Sequence, residues 1–300
     1  MAEWRDSGES VTVQTSGSTG KPKRLQLPKK LMKESALRTN AFFSIDAGSR
    51  IHSCVAFDYI GGKMTAVRAE MAGCLLTSEN PSNRPALSGS EQPIDLLSVV
   101  ASQMEYLLEH RQELPEVRNY LIGGSAIPSG IRKKIAESGI RAWESYGMTE
   151  TASHIAVRRV TEEEIPFTPL PGIEIRQDER GCLVIRMEGW PDVVTNDICE
   201  ITPEGFRILG RADNVIISGG KKFHPEEAER KLSEYLDFPF YFTSKKDEKW
   251  GEAIVLICEA DETDHVKEIC EKELEHWQQP KEIRFVDRLP RTENGKIRRH

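Results

Sequence analysis

Apolar positions in the first half of the chain follow two periods, one typical of helices and one typical of strands. Helical spacing predicts helices over residues 29–43, from the turn at residues 58–63 through Met71, over 96–108 and over 127–139. Short apolar runs predict strands at residues 11–14, 51–57, 74–77 and 120–122. Because strands and helices alternate, we expect a large N-terminal α/β domain with a mainly parallel sheet.

The pattern changes after Arg159. Short strands separated by Gly, Pro and Asp predict a small antiparallel subdomain, at residues 173–175, 183–185 and 206–208. After Asp213 the pattern predicts a compact α+β domain of roughly 90 residues, which is within the usual domain size. Its predicted elements are strands at 215–217, 253–258 and 283–286 and helices at 225–236 and 266–277. The chain therefore divides into a large domain over residues 1–211 and a C-terminal domain over residues 212–300.

Composition narrows the class of protein. The chain has 300 residues, of which 38% are hydrophobic and 30% charged, and its net charge is −7. These values are typical of a soluble globular protein and argue against a nucleic-acid partner, since nucleic-acid binding favours a basic face. No apolar run approaches the roughly 18 residues of a membrane span, and no signal peptide is visible. The six cysteines form no Cys-x-x-Cys pair, so we expect free thiols and a cytoplasmic protein.

One segment near the start suits a polyphosphate. It consists of Thr15, Ser16, Gly17, Ser18, Thr19, Gly20, Lys21, Pro22 and Lys23. Glycines allow close backbone approach, hydroxyls donate hydrogen bonds, and lysines neutralise charge. The segment is not a P-loop, which needs four residues between its glycines and a Gly-Lys-Ser/Thr ending. A flexible linker of the same composition is the alternative interpretation.

A second segment combines an aromatic ring with a carboxylate. Tyr146-Gly147 offers a flat aromatic face beside exposed backbone, which suits stacking on an adenine. Glu150 can hold Mg²⁺, which prefers oxygen ligands and often takes one or two carboxylates together with phosphate oxygens. The alternative for this segment is a capped helix start, with Thr149 and Glu150 in its first turn.

Two polar groups further along are also candidates for binding a nucleotide. The carboxylate of Asp197 can accept both hydroxyls of a ribose, and Arg211 can reinforce that contact. An Asn-Asp turn between strands is the alternative for Asp197. Lys296 follows Gly295 near the end of the chain, where a lysine is equally compatible with a solvated surface charge.

In their order, these motifs resemble those of the adenylate-forming enzymes, which include acyl- and aryl-CoA synthetases, luciferases and the adenylation domains of peptide synthetases. The matching motifs are residues 15–23, Tyr-Gly-Met-Thr-Glu at 146–150, Asp197, Gly-Arg-x-Asp at 210–213 and Pro-Arg-Thr-x-x-Gly-Lys at 290–296. The resemblance implies an acid–thiol ligase that works through an acyl-adenylate. Its implied small-molecule partners are a carboxylic acid, ATP, Mg²⁺ and coenzyme A, and the oligomeric state stays open.

The resemblance also implies a role for each segment. The segment 15–23 would close over the β- and γ-phosphates of ATP, and Thr149 would touch the α-phosphate beside the Mg²⁺ held by Glu150. The residues around the adenine would be Gly123, Gly124, Ser125, Tyr146 and Gly147. Asp197 would bind the ribose with help from Arg211, and Lys296 would reach the reacting carboxylate and the α-phosphate. Because an anionic carboxylate attacks an anionic phosphate, a metal ion and a lysine must offset the developing charge.

The second half-reaction is implied to use another arrangement of the C-terminal domain. The hinge of this movement would match Asp213, since hinge residues lie at the ends of elements, far from the chemistry. Gly219, Gly220 and Lys221 would then line the tunnel for the thiol acceptor.

Within the superfamily, the chain most resembles the o-succinylbenzoate–CoA ligases of menaquinone biosynthesis, through residues 58–64, 149–155, 169–172 and 194–197. The implied acyl pocket contains Asp58, Gly61, Gly62, Lys63, Ser153 and His154. The substrate of these ligases is a dicarboxylate, and Lys63 and His154 are the candidates for binding its non-reacting carboxylate, with Ser153 as a neighbour. A solvated lysine and a structural histidine are the alternatives. Many relatives carry a histidine near position 58, so Asp58 departs from the pattern.

Only fourteen residues precede Thr15, whereas typical members have a substantial segment there. This difference predicts either a naturally shortened enzyme or a chain that lacks part of the protein. The alternatives to the o-succinylbenzoate ligase are another aryl- or acyl-CoA ligase and a stand-alone adenylation module that loads a carrier protein. A nucleotide-binding remnant without turnover is disfavoured, because Lys296, Glu150 and Asp197 occur together.

Overall fold

A computed structural model of the chain describes residues 2–14, 24–88, 92–291 and 297–299. The helices are α1 Ala2–Arg5, α2 Lys29–Phe43, α3 Ile60–Ala72, α4 Ala101–Glu109, α5 Ser129–Ser138, α6 Pro225–Leu232 and α7 His265–Glu273. The first nine strands are β1 Ser10–Gln14, β2 Arg24–Pro28, β3 Arg50–Ser53, β4 Leu75–Ser78, β5 Leu96–Val100, β6 Tyr120–Gly123, β7 Ala142–Met148, β8 Ser153–Arg159 and β9 Thr168–Pro169. The remaining strands are β10 Ile173–Gln177, β11 Cys182–Met187, β12 Val193–Thr202, β13 Gly205–Arg211, β14 Ile216–Ser218, β15 Lys221–Phe223, β16 Phe240–Asp247, β17 Gly251–Cys258 and β18 Glu282–Phe285.

Backbone contacts divide the chain into two compact units. Unit 1 comprises Met1–Glu174, Arg186–Val193 and Pro203–Gly205. Unit 2 comprises Ile175–Ile185, Val194–Thr202 and Phe206–His300. The functional boundary between residues 211 and 212 stays a prediction.

A seven-stranded sheet forms the centre of unit 1, in the order β4-β3-β5-β6-β7-β8-β9. The first five strands pair in parallel, and β8 and β9 are antiparallel. Met104 and Leu107 of α4 and Ile135 of α5 are buried in one core with residues of β5 and β6. The predicted α/β fold with a mainly parallel sheet is confirmed. The carboxyl ends of the parallel strands meet at one edge, which is where open α/β sheets bind ligands.

Most of the predicted helices of unit 1 have the expected bounds. The predicted helix 29–43 agrees with α2 residue for residue. Gly73 ends α3 and Gly139 ends α5, with φ angles of 66° and 69°. These angles are left-handed, a conformation that glycine adopts without strain, so the two glycines stop their helices.

The predicted helix over residues 96–108 is wrong in its first five residues. Leu96–Val100 forms β5, a central strand between β3 and β6, and α4 begins at Ala101. A continuous apolar run of this length fits a buried strand as well as a helix, and the position inside a parallel sheet decides between them. The change from strand to helix is marked by Gln103, whose side chain accepts a hydrogen bond from the Val100 N–H at 3.0 Å.

Unit 2 contains most of a four-stranded sheet in the order β10-β11-β12-β13, and a five-stranded sheet in which β15-β14-β17-β16 are joined by β18 beside β17. Phe223, Phe242 and Leu256 are buried with residues of α6 and α7 in the core of the second sheet. The predicted small antiparallel subdomain and compact α+β region are therefore confirmed. The alternative of an Asn-Asp turn at residues 196–197 is wrong, because both residues lie inside β12.

Two further expectations concern the cysteines and the membrane. All six cysteines are free thiols, and five of them are buried while Cys74 is half-buried. In the part of the chain that the structure describes, no helix is both long and apolar enough to cross a bilayer.

Candidate active site

The segment 15–23 connects two paired strands of unit 1. β1 and β2 are antiparallel, and their register pairs Gln14 with Arg24 at the ends that flank the segment. Residues 15–23 themselves lie outside the described residues, as does Lys296, so their predicted contacts with phosphate and substrate stay predictions. The structure thus defines the base of the predicted phosphate-binding segment.

A cleft of about 420 Å³ lies beside this strand pair. Asp58 and Lys63 line it together with residues of β1, including Gln14. A parallel bridge between Gln14 and Tyr59 joins β1 to the start of α3. Two residues of the predicted acyl pocket therefore lie next to the strands that flank the predicted phosphate-binding segment.

The two glycines at the start of α3 differ in how closely they are packed. A Cβ atom on Gly62 would lie 2.2 Å from the carbonyl oxygen of Ala56, so only glycine fits there. A Cβ atom on Gly61 would meet no atom within 4 Å. Packing among the described residues therefore explains why position 62 is a glycine. At Gly61 there is open space that a side chain could occupy.

The residues predicted to surround an adenine lie at the carboxyl ends of two neighbouring strands. Gly123 ends β6 and Gly124 follows it, and Tyr146 and Gly147 are near the end of β7, which pairs in parallel with β6. A Cβ atom on Gly123 would lie 2.9 Å from the Ser145 hydroxyl oxygen, so this edge has little spare room. Exposed Ser125 follows Gly124, and the sheet brings this predicted set together.

Tyr146 already has an aromatic neighbour. Its ring centroid lies 5.8 Å from that of Phe167, at an interplanar angle of 52°. The guanidinium of Arg158 also lies over the Phe167 ring, 4.1 Å from the ring centroid. The position of Tyr146 is therefore supported by its contact with Phe167 within unit 1.

Thr149 and Glu150 lie in a short 3₁₀ turn, Thr149–Thr151, rather than at the start of an α-helix. Thr149 is buried, whereas Glu150 is exposed and forms no ion pair with any described residue. The hydroxyl of Thr151 accepts a hydrogen bond from the Met148 N–H at 3.1 Å and so holds the turn. An exposed carboxylate without an ion-pair partner fits the oxygen ligation that Mg²⁺ requires.

The backbone after this turn is strained. Ala152 and Ser153 have φ angles of 50° and 86°, in the left-handed region that residues with side chains rarely adopt. Gly147 permits this geometry, because a Cβ atom there would lie 2.3 Å from the Ser153 carbonyl oxygen. Strain of this kind concentrates at functional sites. Here it directs the chain from Glu150 to the predicted acyl residues Ser153 and His154.

Arg68 is a candidate functional residue that sequence reasoning missed. It is only 1% exposed, and its guanidinium Nη2 lies 3.0 Å from the Ser153 hydroxyl and 3.3 Å from His154 Nδ1. No carboxylate of a described residue lies within 4.0 Å of it, and its buried Nε has no partner among the described residues. The sequence held a signal, since Met64, Val67 and Arg68 share helical spacing on an apolar face.

Burial determines the charge state of this cluster. It lowers the pKa of Arg68 to about 9, which still leaves the guanidinium protonated at neutral pH. It also lowers the pKa of His154 well below its ordinary value, and the positive charge of Arg68 adds to that effect. The imidazole is therefore neutral, with Nε2 3.2 Å from the Thr39 hydroxyl. The result is a buried positive charge surrounded by neutral polar groups, an arrangement that favours a bound anion.

The structure divides the candidates for the non-reacting carboxylate into two groups. Ser153 and His154 contact Arg68, whereas Lys63 lines the cleft beside β1. The cation that contacts Ser153 and His154 among the described residues is therefore Arg68 and not Lys63.

In unit 2, three of the predicted nucleotide and hinge residues form one ion-pair network. Arg211 Nη1 lies 3.1 Å from the Asp197 carboxylate, and Nη2 lies 2.6 Å from that of Asp213. Thr195 orients Asp197 by accepting a hydrogen bond from its N–H at 3.0 Å. The predicted ribose-binding carboxylate and the predicted hinge are therefore joined through one arginine.

The residues predicted to line the thiol tunnel form a tight hairpin turn. Ser218 pairs with Lys221 across β14 and β15, and Gly219 and Gly220 between them have φ angles of 56° and 78°. Two successive left-handed residues are typical of a two-residue hairpin turn and favour glycine. A Cβ atom on Gly219 would also lie 2.8 Å from the Trp250 ring. Gly219 is thus required by both its conformation and its packing.

Both ends of the segment that contains Lys296 are anchored within unit 2. Arg291 and Ile297 form an antiparallel bridge, and the Arg298 N–H donates to the Pro290 carbonyl at 2.8 Å. The guanidinium of Arg299 binds both carboxylate oxygens of Glu229, at 2.6 and 2.5 Å. The residues that directly flank the predicted catalytic segment are therefore bonded to each other across it.

Comparison with known proteins identifies the family of the chain. Residues 7–188 match the model of the AMP-binding enzymes, and residues 242–296 match that of their C-terminal domain. The chain belongs to the AMP-binding enzyme family. The prediction of an adenylate-forming acid–thiol ligase is confirmed by this match together with the relatives described next.

The curated relatives are CoA ligases. A 2-succinylbenzoate–CoA ligase from Listeria monocytogenes is 28% identical over an alignment of 335 positions, which covers 100% of this chain and 71% of the relative. An indoleacetate–CoA ligase from Aromatoleum aromaticum is 26% identical, over 95% of this chain and 65% of the relative. The chain is thus similar to two ligases that are named for different acids, 2-succinylbenzoate and indoleacetate.

Solved structures share the fold. An acyl-CoA synthetase (AMP-forming)/AMP-acid ligase II-like protein from Dyadobacter fermentans has a TM-score of 0.65 and 29% identity, covering 99% of this chain and 89% of its own. The o-succinylbenzoate coenzyme A synthetase from Bacillus subtilis, in complex with ATP and magnesium, has a TM-score of 0.82 and 23% identity, covering 96% of this chain and 68% of its own. The predicted architecture of an adenylate-forming enzyme is therefore confirmed.

Proposed function

We propose that this chain activates a carboxylic acid with ATP and Mg²⁺ and transfers the acyl group to coenzyme A, and that its acid is a dicarboxylate of the o-succinylbenzoate type. In the first step, the acid displaces diphosphate from ATP to form an acyl-adenylate. In the second step, the thiol of coenzyme A displaces AMP and gives the thioester. The family match and the names of the curated relatives support the ligase.

The observation that carries the choice of acid is the buried charge of Arg68, which no carboxylate of a described residue compensates. Removing a guanidinium from water without a counter-ion is costly, so a group that supplies a negative charge there gains a strong interaction. A monocarboxylic acid uses its only carboxylate in the reaction. A dicarboxylate has a second carboxylate that can pair with Arg68 while the first one reacts. Arg68 therefore favours a substrate such as 2-succinylbenzoate over one such as indoleacetate.

The other residues divide the remaining work under this proposal. Asp197 and Arg211 hold the ribose, the glycines at the end of β6 and Tyr146 enclose the adenine, and Glu150 ligates Mg²⁺. Bound Mg²⁺ offsets the charge on the phosphate oxygens as the acid attacks. Residues 15–23 hold the leaving diphosphate, and Lys296 neutralises the charge that develops at the reacting carboxylate.

A substrate panel tests the function directly. Diphosphate release and thioester formation are measured with ATP, Mg²⁺, coenzyme A and each of several acids. We expect both products with o-succinylbenzoate, and much less with an analogue whose non-reacting carboxylate is an amide. Release of diphosphate with no acid in the panel would contradict the ligase, and release without a thioester would favour loading of a carrier protein. Preference for benzoate or a fatty acid would contradict the choice of acid alone.

Arg68→Met tests the role of the arginine in binding the acid. We expect kcat/KM for the dicarboxylate to fall by roughly 10–100-fold, since a hydrogen bond to a charged group contributes about 1.5–3 kcal/mol. The KM for ATP and activity toward the amide analogue should change little. Arg111→Met removes an exposed arginine of unit 1 and is the matched control. Equal losses for the dicarboxylate and the amide analogue would show that Arg68 does not bind the second carboxylate.

A further inference from the structure

A cluster of three potential metal ligands lies at the carboxyl edge of the sheet in unit 1. His52 is the third residue of β3, Cys54 directly follows β3, and Glu79 directly follows the adjacent strand β4. Their ligand atoms all lie within 4.8 Å of one another. Because β3 and β4 are parallel neighbours, their ends place these three side chains together without any contribution from a long loop.

The separations within the cluster fit one metal ion. Glu79 Oε1 lies 3.2 Å from Cys54 Sγ and 3.6 Å from His52 Nε2. Zinc binds sulfur at about 2.3 Å and nitrogen or oxygen at about 2.0–2.2 Å in a tetrahedral arrangement. With these bond lengths, two ligands of one ion are separated from each other by distances like the 3.2 and 3.6 Å found here. The three atoms are therefore close enough to bind a shared ion without movement of the backbone.

One atom of the cluster lacks a hydrogen-bond partner among the described residues. His52 is fully buried, and its Nε2 forms no hydrogen bond with any described residue. Buried polar atoms in folded proteins nearly always form a hydrogen bond. A buried nitrogen without one, beside a thiol and a carboxylate, therefore indicates a ligand at this position. His52 Nδ1 lies 2.8 Å from the Thr77 hydroxyl. If Nδ1 carries the proton and donates it to Thr77, Nε2 presents its lone pair to the cluster, as metal-bound histidines do.

The carboxylate is also held in place from outside the cluster. Glu79 accepts hydrogen bonds from the N–H groups of Ala86 and Leu87, at 3.1 and 3.2 Å. Its side chain is 14% exposed, so an ion can reach it from solvent, whereas the histidine side chain is closed off. A bound ion would therefore connect the ends of β3 and β4 to the segment around residue 86.

We propose that His52, Cys54 and Glu79 form a binding site for Zn²⁺, with water in the fourth position. The nitrogen, sulfur and oxygen donors favour zinc over Mg²⁺ and Ca²⁺, which take oxygen ligands. On binding, Cys54 Sγ loses its proton to solvent and forms the bond to zinc, with no change of oxidation state. One thiolate and one carboxylate balance the two positive charges of the ion. The site is separate from Glu150, the carboxylate assigned to Mg²⁺.

Cobalt provides the spectroscopic test. The untagged chain is treated with a chelator, dialysed and titrated with Co²⁺, which reports thiolate ligation through a charge-transfer band in the near ultraviolet. We expect one Co²⁺ per chain with this band, and its displacement by Zn²⁺. Cys54→Ser should abolish the band, and the control Cys74→Ser should retain it. Absence of the band in the unaltered chain, or its survival in Cys54→Ser, would overturn the proposal.

Two further measurements remain informative if buried substitutions impair folding. In the unaltered chain, free Zn²⁺ at about a hundredfold excess over Kd should raise the unfolding midpoint by roughly 5–10 °C, because the ion binds the folded state. Thr77→Val keeps the shape of the side chain and should weaken Co²⁺ binding by roughly 10–100-fold through loss of the hydrogen bond to His52. An unchanged midpoint with Zn²⁺, or unchanged Co²⁺ affinity in a folded Thr77→Val variant, would count against the site. Neither measurement depends on ligase activity.

Discussion

At the scale of single residues, the candidate site contains a buried cation, Arg68, with no carboxylate partner in the part of the chain that the structure describes. Arg68 shows why part of the site escapes prediction from sequence. Motif order identifies Ser153 and His154, but the charge that faces them comes from a different element and belongs to no motif. Only the packing of α3 against β8 brings the three side chains together.

His154 makes the stability of the chain depend on pH. Its pKa is lowered in the folded state, so the unfolded chain binds more protons and the free energy of unfolding rises with pH. This contribution is complete above the unfolded pKa of about 6.5 and is lost as pH falls below it. We expect His154→Gln to reduce the slope of the free energy of unfolding against pH, by up to about 1.4 kcal/mol per pH unit between pH 6 and 5. Denaturant titrations at several pH values measure this slope.

A His154→Gln variant with the slope of the unaltered chain would show that His154 does not titrate on unfolding.

At the scale of elements, the sequence predicts best where local signals and tertiary environment agree. Helix α2 was predicted with its observed bounds because its apolar stripe is amphipathic. The error at Leu96–Val100 arose because a strand buried on both faces carries no alternation to distinguish it from a buried helix. β7, β12 and β16 were not predicted as strands, since polar residues inside them, such as Asn196 and Asp197, are typical of turns. Their neighbours in the sheet overrode that local preference.

An ion-pair triad ties α5 to two strands of unit 1. The buried Glu144 on β7 lies 2.5 Å from Arg132 Nη2 and 2.8 Å from Arg158 Nη2. All three side chains are at most 8% exposed. Removing the carboxylate leaves the buried Arg132 without a carboxylate partner among the described residues, while Arg158 keeps its ion pair with Glu164. Glu144→Leu should therefore lower the free energy of unfolding by about 3–5 kcal/mol. Urea denaturation provides the measurement.

The exposed pair Glu105–Lys134 joins α4 to α5 and is the matched control for the buried triad. Glu105→Leu should lower the free energy of unfolding far less than Glu144→Leu, since exposed ion pairs contribute little. Similar costs for the two variants would mean that the triad contributes no more than a surface pair.

At the scale of the whole molecule, the proposed reaction draws on both units. Unit 1 holds the predicted adenine and acyl residues, and unit 2 holds Asp197, Arg211, the glycine turn and the segment with Lys296. Each unit has its own core. A substitution in one unit can therefore change its contribution to the reaction while the other unit stays folded. The order of motifs along the chain predicted the family, because each motif is local. The uncompensated charge of Arg68 depends on contacts between distant residues and was not predicted.

Lys296→Ala separates the two half-reactions. The lysine is predicted to act only while the acid attacks the phosphate, so diphosphate release should fall by roughly 100-fold or more, as for loss of a transition-state contact. Thioester formation from supplied acyl-adenylate should be largely retained. Stopped-flow or quenched assays of each step provide the comparison, with the nearby Arg298→Ala as a control. Equal losses in both steps would contradict the role given to Lys296.

The buried charge of Arg68 also bears on how long a molecule of this protein persists. Without an anion, that charge lowers the free energy of unfolding of the empty chain, whereas a dicarboxylate that binds there raises it by RT ln(1 + [L]/Kd), where [L] is the free concentration of the acid. Proteases in the cell act on the unfolded fraction, and changes of 1–2 kcal/mol alter abundance several-fold. If the acid pairs with Arg68 as proposed, a supply of the acid protects the enzyme from degradation and a shortage shortens its lifetime. The same guanidinium would then couple the amount of the enzyme to the amount of its substrate, without a separate regulatory site.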